Sequence, residues 1–199
     1  MDMVASDPKP PATLGFLTVI QAGESGWLGG YLVLNALGRP LEFHCTAPVR
    51  PNRAQEILYG PTLQPYLYGE QIGRALLART TNSTTIICTD VAPALEVRPF
   101  ASAPVAWLVP SGTNSSLPPA GELPATVRID PPHTSIAPAA PGGMLRFRAG
   151  RHELAVHPHY PDDRQAILEG LDPDRVSWDL YEPFARIREA IHEAHQGAR

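Results

Sequence analysis

The first half of the chain alternates apolar and polar residues with the two-residue period of β-strands. Residues 14–21 are rich in β-branched side chains, residues 31–35 form a short apolar run, and residues 41–46 place an apolar side chain at every second position. A turn that contains Gly38 separates the last two segments. The pattern therefore predicts a strand followed by a β-hairpin, with a positive φ available at Gly38.

Two helices are predicted next. Asn52 and Gln55 have the spacing of a capping box, in which each residue bonds to the backbone of the other. The pair Gly60-Pro61 is typical of a helix end. Residues 63–79 then repeat apolar side chains at helical spacing, which predicts a second and longer helix.

Two glycines stand four residues apart on this second helix, Gly69 and Gly73. A glycine inside a helix costs about 1 kcal/mol relative to alanine. We expect a close approach of the helix to the sheet to offset that cost. The alternative is an open surface for a small molecule, in a cleft around Gly69, Gly73 and Asp90.

A central strand is predicted for residues 84–90, which are apolar on both faces as expected of a strand covered by helices on two sides. Residues 93–97 favour a short helix and residues 104–109 a further strand. Strands joined through a helix pair in parallel, so these two strands are expected to be parallel. The segment between residues 22 and 30 carries four glycines and is interpreted as a connection between strands.

The C-terminal part predicts a second hairpin, with strands at residues 144–148 and 152–156. A short helix follows Asp162 and Asp163, and a longer amphipathic helix covers residues 182–195. The stripe that this helix is expected to bury consists of Phe184, Ile187, Ile191 and Ala194.

Together these elements predict a mixed α/β fold (α+β): a central mixed sheet with an N-terminal β-hairpin, helices packed on it, and a C-terminal β-hairpin plus an amphipathic helix. Residues 1–13 are expected to be a flexible leader and residues 14–110 the core domain. Residues 111–143 are rich in Pro, Ser and Gly and are expected to be a linker or extended excursion, with a possible edge strand at residues 125–129. Residues 144–199 are expected to pack on the core.

Charge argues against general nucleic-acid binding. The net charge is −4 and the isoelectric point is about 5.9, whereas binding to phosphates requires a concentrated basic face. The densest basic cluster is Arg146, Arg148 and Arg151. It is interpreted as a solvated strand face, with a local anion contact as the alternative.

No apolar run approaches the roughly 20 residues of a membrane helix, and the N-terminal residues do not have the pattern of a signal peptide. Cys45 and Cys88 both lie in strand-like runs, and two reduced, buried thiols are the default for such positions. The chain is therefore predicted to be cytoplasmic and not to bind membranes.

One group of residues has the composition of a divalent metal site. His157 and His159 alternate along the chain and would project from one face of a strand, with His152 before them and Asp162 after them. Two imidazoles and a carboxylate can hold a metal ion with one open position, as in metal-dependent hydrolases. The alternative is an ordinary surface loop, and no other cofactor is predicted.

A second group suggests general acid–base chemistry. Glu42 and His44 share one face of their strand, and Asp90 ends the central strand, where open α/β sheets place ligand-binding groups. The alternative is a half-exposed strand face and a polar strand end. His44 and Cys45 are neighbours in the sequence and point to opposite faces, which disfavours a Cys–His pair.

The absence of a recognised catalytic motif favours a non-catalytic cytoplasmic α/β protein that acts through protein–protein interaction or regulation. Its partner is expected to be another protein or a second copy of the chain, with the aromatic residues Trp27, Tyr59, Tyr66 and Trp178 as exposed anchors. A metal-assisted hydrolase and a small-molecule sensor are the alternatives.

Overall fold

The computed structural model describes residues 13–110, 143–171 and 178–196. Seven strands form one sheet in the order β3-β2-β1-β4-β5-β7-β6. The strands are β1 (Thr13–Gln21), β2 (Trp27–Asn35), β3 (Pro40–Cys45), β4 (Ile86–Thr89), β5 (Val105–Leu108), β6 (Leu145–Ala149) and β7 (His152–Val156). The α-helices are α1 (Arg53–Tyr59), α2 (Leu63–Pro65), α3 (Arg74–Leu77), α4 (Asp163–Gly170) and α5 (Glu182–Gln196).

The sheet is mixed, which confirms the predicted fold class. Strands β1, β4 and β5 are parallel neighbours, and all other pairs are antiparallel. The first hairpin, β2–β3, forms as predicted, and Gly38 has a φ of 73° in its turn. Pairing of β5 with β7 joins the C-terminal hairpin to the same sheet. The predicted leader and linker, with the possible strand at 125–129, lie almost wholly outside the described residues.

The glycine-rich connection is shorter than predicted, because Gly29 and Gly30 lie inside β2. A Cβ added at Gly29 would lie 2.1 Å from Ile72 Cγ2, and one at Gly30 would lie 2.4 Å from Ile187 Cγ2. Adjacent residues of a strand point to opposite faces. The two glycines therefore let helices approach β2 closely from both sides of the sheet.

The capping box of α1 forms as predicted: the side chain of Asn52 accepts from the Gln55 backbone, and the Gln55 side chain accepts from the Asn52 backbone. The second predicted helix is continuous over α2 and α3, but its middle, Tyr66–Gly73, has the wider turns of a π-helix. Such π-helical segments are rare and usually much shorter.

The glycines of this helix approach a neighbouring helical segment and not the sheet, which corrects the prediction. A Cβ at Gly69 would lie 2.5 Å from the backbone carbon of Glu96, and one at Gly73 would lie 2.7 Å from Val97 Cγ2. Both neighbours belong to the 3₁₀-helical segment Ala92–Phe100 that connects β4 to β5. The close packing leaves no room for the small-molecule cleft that was the alternative at these glycines.

Helices cover the sheet on both faces, and each face has its own apolar core. On the α5 side the buried residues of that helix are Phe184, Ile187 and Ile191, as predicted, whereas Ala194 is exposed. The buried stripe therefore ends one turn early. Across the described residues, none of the helices combines the length and the apolar composition needed to span a membrane.

The two cysteines differ in their surroundings. Cys88 is fully buried in β4, and burial raises its pKa to about 12, whereas Cys45 is exposed in β3 and corrects the expectation of two buried thiols. Strands β2 and β1 separate β3 from β4. At about 4.8 Å per strand this spacing exceeds the reach of a disulfide.

The four aromatic residues expected to be exposed anchors are all half-buried. Trp178 packs against Phe16 with ring centroids 5.7 Å apart, and its indole N–H donates to the Ala36 carbonyl at 3.1 Å. Tyr59 and Tyr66 stack on each other at 4.1 Å. These contacts use much of the aromatic surface within the fold.

Candidate functional sites

Glu42 and His44 lie together on the face of β3 opposite α5, with His44 Nε2 2.6 Å from Glu42 Oε1. The Glu42 carboxylate also accepts from the backbone N–H of Thr81 and Asn82, from the Thr80 hydroxyl and from the Asn82 side-chain amide, at 2.9 to 3.1 Å. The Asn82 side chain is the largest cause of a lowered pKa of Glu42, and burial opposes it. A carboxylate with so many donors is a weak base, and it ties the loop before β4 to the edge of the sheet.

Asp90 lies on the other face of the sheet. It follows β4 in register with Ile86 and Cys88, which belong to the core on the α5 side. Its carboxylate pairs with the guanidinium of Arg188 from α5. The three candidate catalytic residues therefore do not share a reaction centre, because the sheet stands between Asp90 and the Glu42–His44 pair.

The surroundings of Asp90 are unusual for a structural ion pair. The Asp90 side chain is 8% exposed, and its Oδ1 atom has no hydrogen-bond partner within the described ranges. The Thr18 hydroxyl of β1 lies beside this carboxylate, and hydrogen bonding from Thr18 lowers the pKa of Asp90. Burial outweighs Thr18 and Arg188 and raises the pKa of Asp90 above its ordinary value. A cavity of about 380 Å³ opens beside Arg188, lined also by Ile20, Glu189, His192 and Glu193.

The predicted metal ligands are brought together only in part. His157 and His159 lie with ring centroids 5.0 Å apart, and the His159 backbone N–H donates to His157 Nδ1. His157 Nε2 lies 3.3 Å from a carboxylate oxygen of Glu96. His152 begins β7, which ends before His157, and lies beside Tyr181. Asp162 is exposed next to α4. Over the ranges that the structure describes, no three His, Cys, Asp or Glu side chains are placed to hold one metal ion.

The most extensively paired acid near this histidine pair is Asp163, the sequence neighbour of the predicted ligand Asp162. Its two carboxylate oxygens accept from Arg98 at 2.5 and 2.9 Å, and one also accepts from the Val105 backbone N–H at 3.2 Å. Arg98 also lies over the ring of Tyr160 at 4.6 Å. This buried pair links α4 to the 3₁₀-helical segment and to β5, and its bonds give it a structural role.

The Arg cluster lines an open groove at the β6 end of the sheet. The cavity of about 500 Å³ is bordered by Val109, Arg146, Phe147, Arg148, Arg151 and Glu153. Arg146 pairs with Glu153 at 3.3 Å and lies 5.8 Å from the centroid of the Trp107 ring. The Glu153 carboxylate therefore lies among the three guanidinium groups of this groove.

The other end of the sheet presents an apolar surface, which we name the β3 margin: Leu41, Phe43 and Cys45. Phe43 and Cys45 lie on the α5 face of β3, opposite Leu32 and Gly30, and Leu41 stands beside them at a β-bulge. Leu41 is 48% exposed, Phe43 is 37% exposed and Cys45 is also exposed. Helix α5 packs mainly on β1 and β2. The sequence predicted this apolar face, but only the position of α5 shows that it is uncovered.

The outer backbone edge of β3 pairs with no other strand among those described. The Thr46 backbone N–H donates to the Gly29 carbonyl at 3.0 Å, which places residue 46 in a hydrogen-bonded pair with β2. In an antiparallel pair, every second residue turns its backbone groups to the same neighbour. Residues 42 and 44 therefore face β2, and residues 43 and 45 direct their N–H and C=O groups outwards. A β-bulge interrupts this alternation at Leu41, because Val33 pairs with Glu42 whereas Leu34 pairs with Pro40.

No known protein family has a model that matches this chain, and no curated protein sequence shows significant similarity to it.

Proposed function

We propose that this chain is a non-catalytic α/β protein that acts by binding a partner protein through the β3 margin. The proposal rests on two features that occur together on β3: exposed apolar side chains and outward-facing backbone groups. Leu41, Phe43 and Cys45 are exposed, and Phe43 and Cys45 also direct their backbone groups away from the sheet. An extended segment added to such an edge satisfies both at once, as in β-strand addition.

The polar groups of the molecule support this proposal over an enzyme. Glu42 is saturated with donors and has a lowered pKa, Asp163 is locked to Arg98, and Asp90 lies on the opposite face from Glu42 and His44. Each of these acids is either held by hydrogen-bond donors or separated by the sheet from the other candidate catalytic residues. Cytoplasm is kept as the proposed location, since Cys45 and Cys88 are free thiols held apart by two strands.

The proposal is tested by a photo-reactive benzophenone side chain introduced at position 41, in the cells that make the protein. We expect a covalent protein adduct after illumination. The matched control places the same group at position 168 on α4, where Leu168 is exposed to a similar degree, 38% against 48%. Adducts that form equally from both positions, or from neither, would refute binding at the β3 margin.

A small-molecule sensor is the second candidate, and the surroundings of Asp90 favour it. Asp90 directly follows β4 at the carboxyl-terminal end of its parallel pairing with β1, which is where open α/β sheets bind ligands. Ligand-induced thermal shifts across a metabolite panel test it. A ligand at 100 times its Kd should stabilise the protein by about 2.7 kcal/mol. The shift should disappear in Asp90→Asn.

A further inference from the structure

We infer that this protein has a further binding site, which takes a small neutral molecule with several hydroxyl groups, of the size of one sugar ring. The site is a cavity of about 280 Å³ lined in part by residues 80–84 and 100–102, and we name it the Tyr31 cavity. It lies at the amino-terminal ends of β4 and β5, whereas Asp90 follows the carboxyl-terminal end of β4. The inference goes beyond the proposed function and does not depend on it.

The Tyr31 cavity is lined by a buried hydroxyl group that lacks a well-formed hydrogen bond. The Tyr31 side chain is 0% exposed, and among the described residues its hydroxyl bonds to Thr84 Oγ1 alone, at 3.5 Å. Good hydrogen bonds between a hydroxyl group and an oxygen atom are about 2.5–3.0 Å long. A buried tyrosine usually has a close partner for its O–H. The Tyr31 hydroxyl can therefore still bond to a molecule in the cavity.

Gly15 allows the Tyr31 ring to reach this position. A Cβ added at Gly15 would lie 2.1 Å from the Tyr31 hydroxyl oxygen. Since Tyr31 belongs to β2 and Gly15 to the neighbouring β1, the phenol crosses β1 to meet Thr84 just before β4. Burial raises the pKa of Tyr31 to about 12. The hydroxyl is thus neutral at physiological pH and can both donate and accept a hydrogen bond.

Further hydroxyl groups line the cavity on a loop that is held in place. Ser83 and Ser102 are exposed, and neither side chain makes a hydrogen bond within the part of the chain that the structure describes. The side chains of Thr80 and Asn82 instead donate to the Glu42 carboxylate, which fixes the loop that carries Ser83. A site formed before the ligand arrives loses less conformational entropy on binding.

The lining indicates the chemical class of the ligand. Leu77, Ile87 and Phe100 supply apolar surface beside the hydroxyl groups, and none of the described lining residues is Asp, Glu, His, Lys or Arg. Arg74 lies over the Phe100 ring but does not line the cavity. An ion that leaves water needs a compensating charge, so a neutral ligand is favoured. A molecule with both O–H and C–H groups matches the mixed lining.

The size of the Tyr31 cavity limits the ligand further. Pockets for drug-sized ligands enclose about 300–1,000 Å³. At about 280 Å³ the Tyr31 cavity falls just below this range. A single sugar ring or a short polyol is therefore the expected occupant.

Backbone-amide NMR of the full chain with neutral sugars and polyols tests the inference. The probes are D-glucose, D-galactose, D-ribose and glycerol, each titrated to tens of millimolar. We expect at least one of them to shift the amide signals of residues 80–84 and 100–102 in a saturable manner. The anions gluconate and glucuronate should bind at least about tenfold more weakly. Methyl glycosides that bind as well as the free sugar would indicate the end of a glycan, and methyl glycosides that do not bind would indicate a free sugar; both results support the inference.

Three variants locate the binding. Tyr31→Phe should weaken binding of the best probe about two- to tenfold, because it removes one neutral hydrogen bond. It should leave the midpoint of urea unfolding unchanged, since the hydroxyl has no well-formed bond within the protein. Ser102→Phe, at an exposed position, should fill the cavity and abolish binding. The matched control is Tyr68→Phe, which removes a hydroxyl from a half-buried tyrosine outside the cavity and should leave binding unchanged.

Four results would each overturn the inference. The first is that none of the neutral probes shifts the amide signals of residues 80–84 and 100–102 in the parent protein. The second is unchanged binding of the best probe by Tyr31→Phe. The third is that gluconate or glucuronate binds as tightly as the neutral sugars. The fourth is a clear loss of stability in Tyr31→Phe, which would show that the Tyr31 hydroxyl is already satisfied within the fold.

Discussion

The two edge strands of the sheet share one pattern of residue types but differ in charge. Strand β3 reads Leu-Glu-Phe-His-Cys at residues 41–45, and β6 reads Leu-Arg-Phe-Arg-Ala at residues 145–149. In both strands the two polar side chains flank a phenylalanine and lie on the face opposite α5. On β3 they are an acid and an imidazole that contact each other, whereas on β6 both are cations.

The strands also differ in which residues direct their backbone outwards. On β6 these are Arg146 and Arg148, and on β3 they are Phe43 and Cys45. Charged residues along an edge are a common protection against unwanted strand pairing. Phe147 is 7% exposed and Phe43 is 37% exposed, so packing within the fold also protects β6 more completely. The comparison teaches that charge protects the β6 edge, whereas the β3 edge is interrupted by a bulge at Leu41 and is open to pairing at Phe43 and Cys45.

Removing the apolar side chains of the β3 margin should have the largest effect. Burial of a leucine or phenylalanine side chain stabilises by about 1.5–3 kcal/mol, so Leu41→Lys with Phe43→Lys should weaken association at least about 100-fold. The yield of the crosslinked partner that co-purifies with each variant measures it. The matched control is Leu145→Lys on β6, where Leu145 is 41% exposed. An equal loss of association in the Leu145→Lys control would show that exposed apolar side chains contribute equally at the two edges.

The acid of each edge should contribute differently to the stability of the fold. Glu42→Gln should cost about 1.5–3 kcal/mol because it weakens hydrogen bonds to a charged group, whereas Glu153→Gln should cost no more than about 1 kcal/mol because the Arg146–Glu153 pair is partly exposed. Urea unfolding of both variants at neutral pH measures the difference.

The Glu42 contribution should also depend on pH. Its pKa in the folded protein is below the ordinary value of about 4.3, so the stabilisation is present above that pH and is lost as the pH falls through the folded pKa. The stability gap between the parent and Glu42→Gln should therefore narrow below about pH 4. A gap that stayed constant from pH 7 into this acid range would contradict the assignment.

Removing one protecting cation from β6 should have the smallest effect. Arg148→Thr leaves the Arg146–Glu153 pair in place and replaces a charge with a residue that favours strands. We expect a slight rise in association at high concentration, seen by light scattering, and no change in the fold. A fall in association would show that Arg148 does not protect this edge.

The hairpin containing β3 was predictable because each of its signals is local. Alternation over residues 41–46 and Gly38 in the turn indicate the strand, its two faces and its turn. The capping box of α1 and the buried stripe of α5 were predictable for the same reason, except at Ala194. The π-helical turns at Tyr66–Gly73 were not, because the fit of Gly69 and Gly73 against Glu96 and Val97 involves a segment more than 20 residues away.

The candidate sites likewise combine contacts that the local sequence predicts with contacts between distant segments that it does not. The contact of Glu42 with His44 follows from strand alternation, but the donors that saturate Glu42 come from a loop about 40 residues further along the chain. The separation of Asp90 from that pair depends on which face of β4 it occupies in the assembled sheet. The Arg98–Asp163 pair joins residues that are 65 positions apart and have no common local signal.

By itself, the sequence determined where strands and helices form and which side chains share a face, because residue spacing and capping act over a few neighbours. Only the tertiary structure decided that α5 packs mainly on β1 and β2, that β3 and β6 are the sheet edges, and that the apolar face of β3 is left exposed. The physical reason is that exposure and strand order result from packing between distant segments.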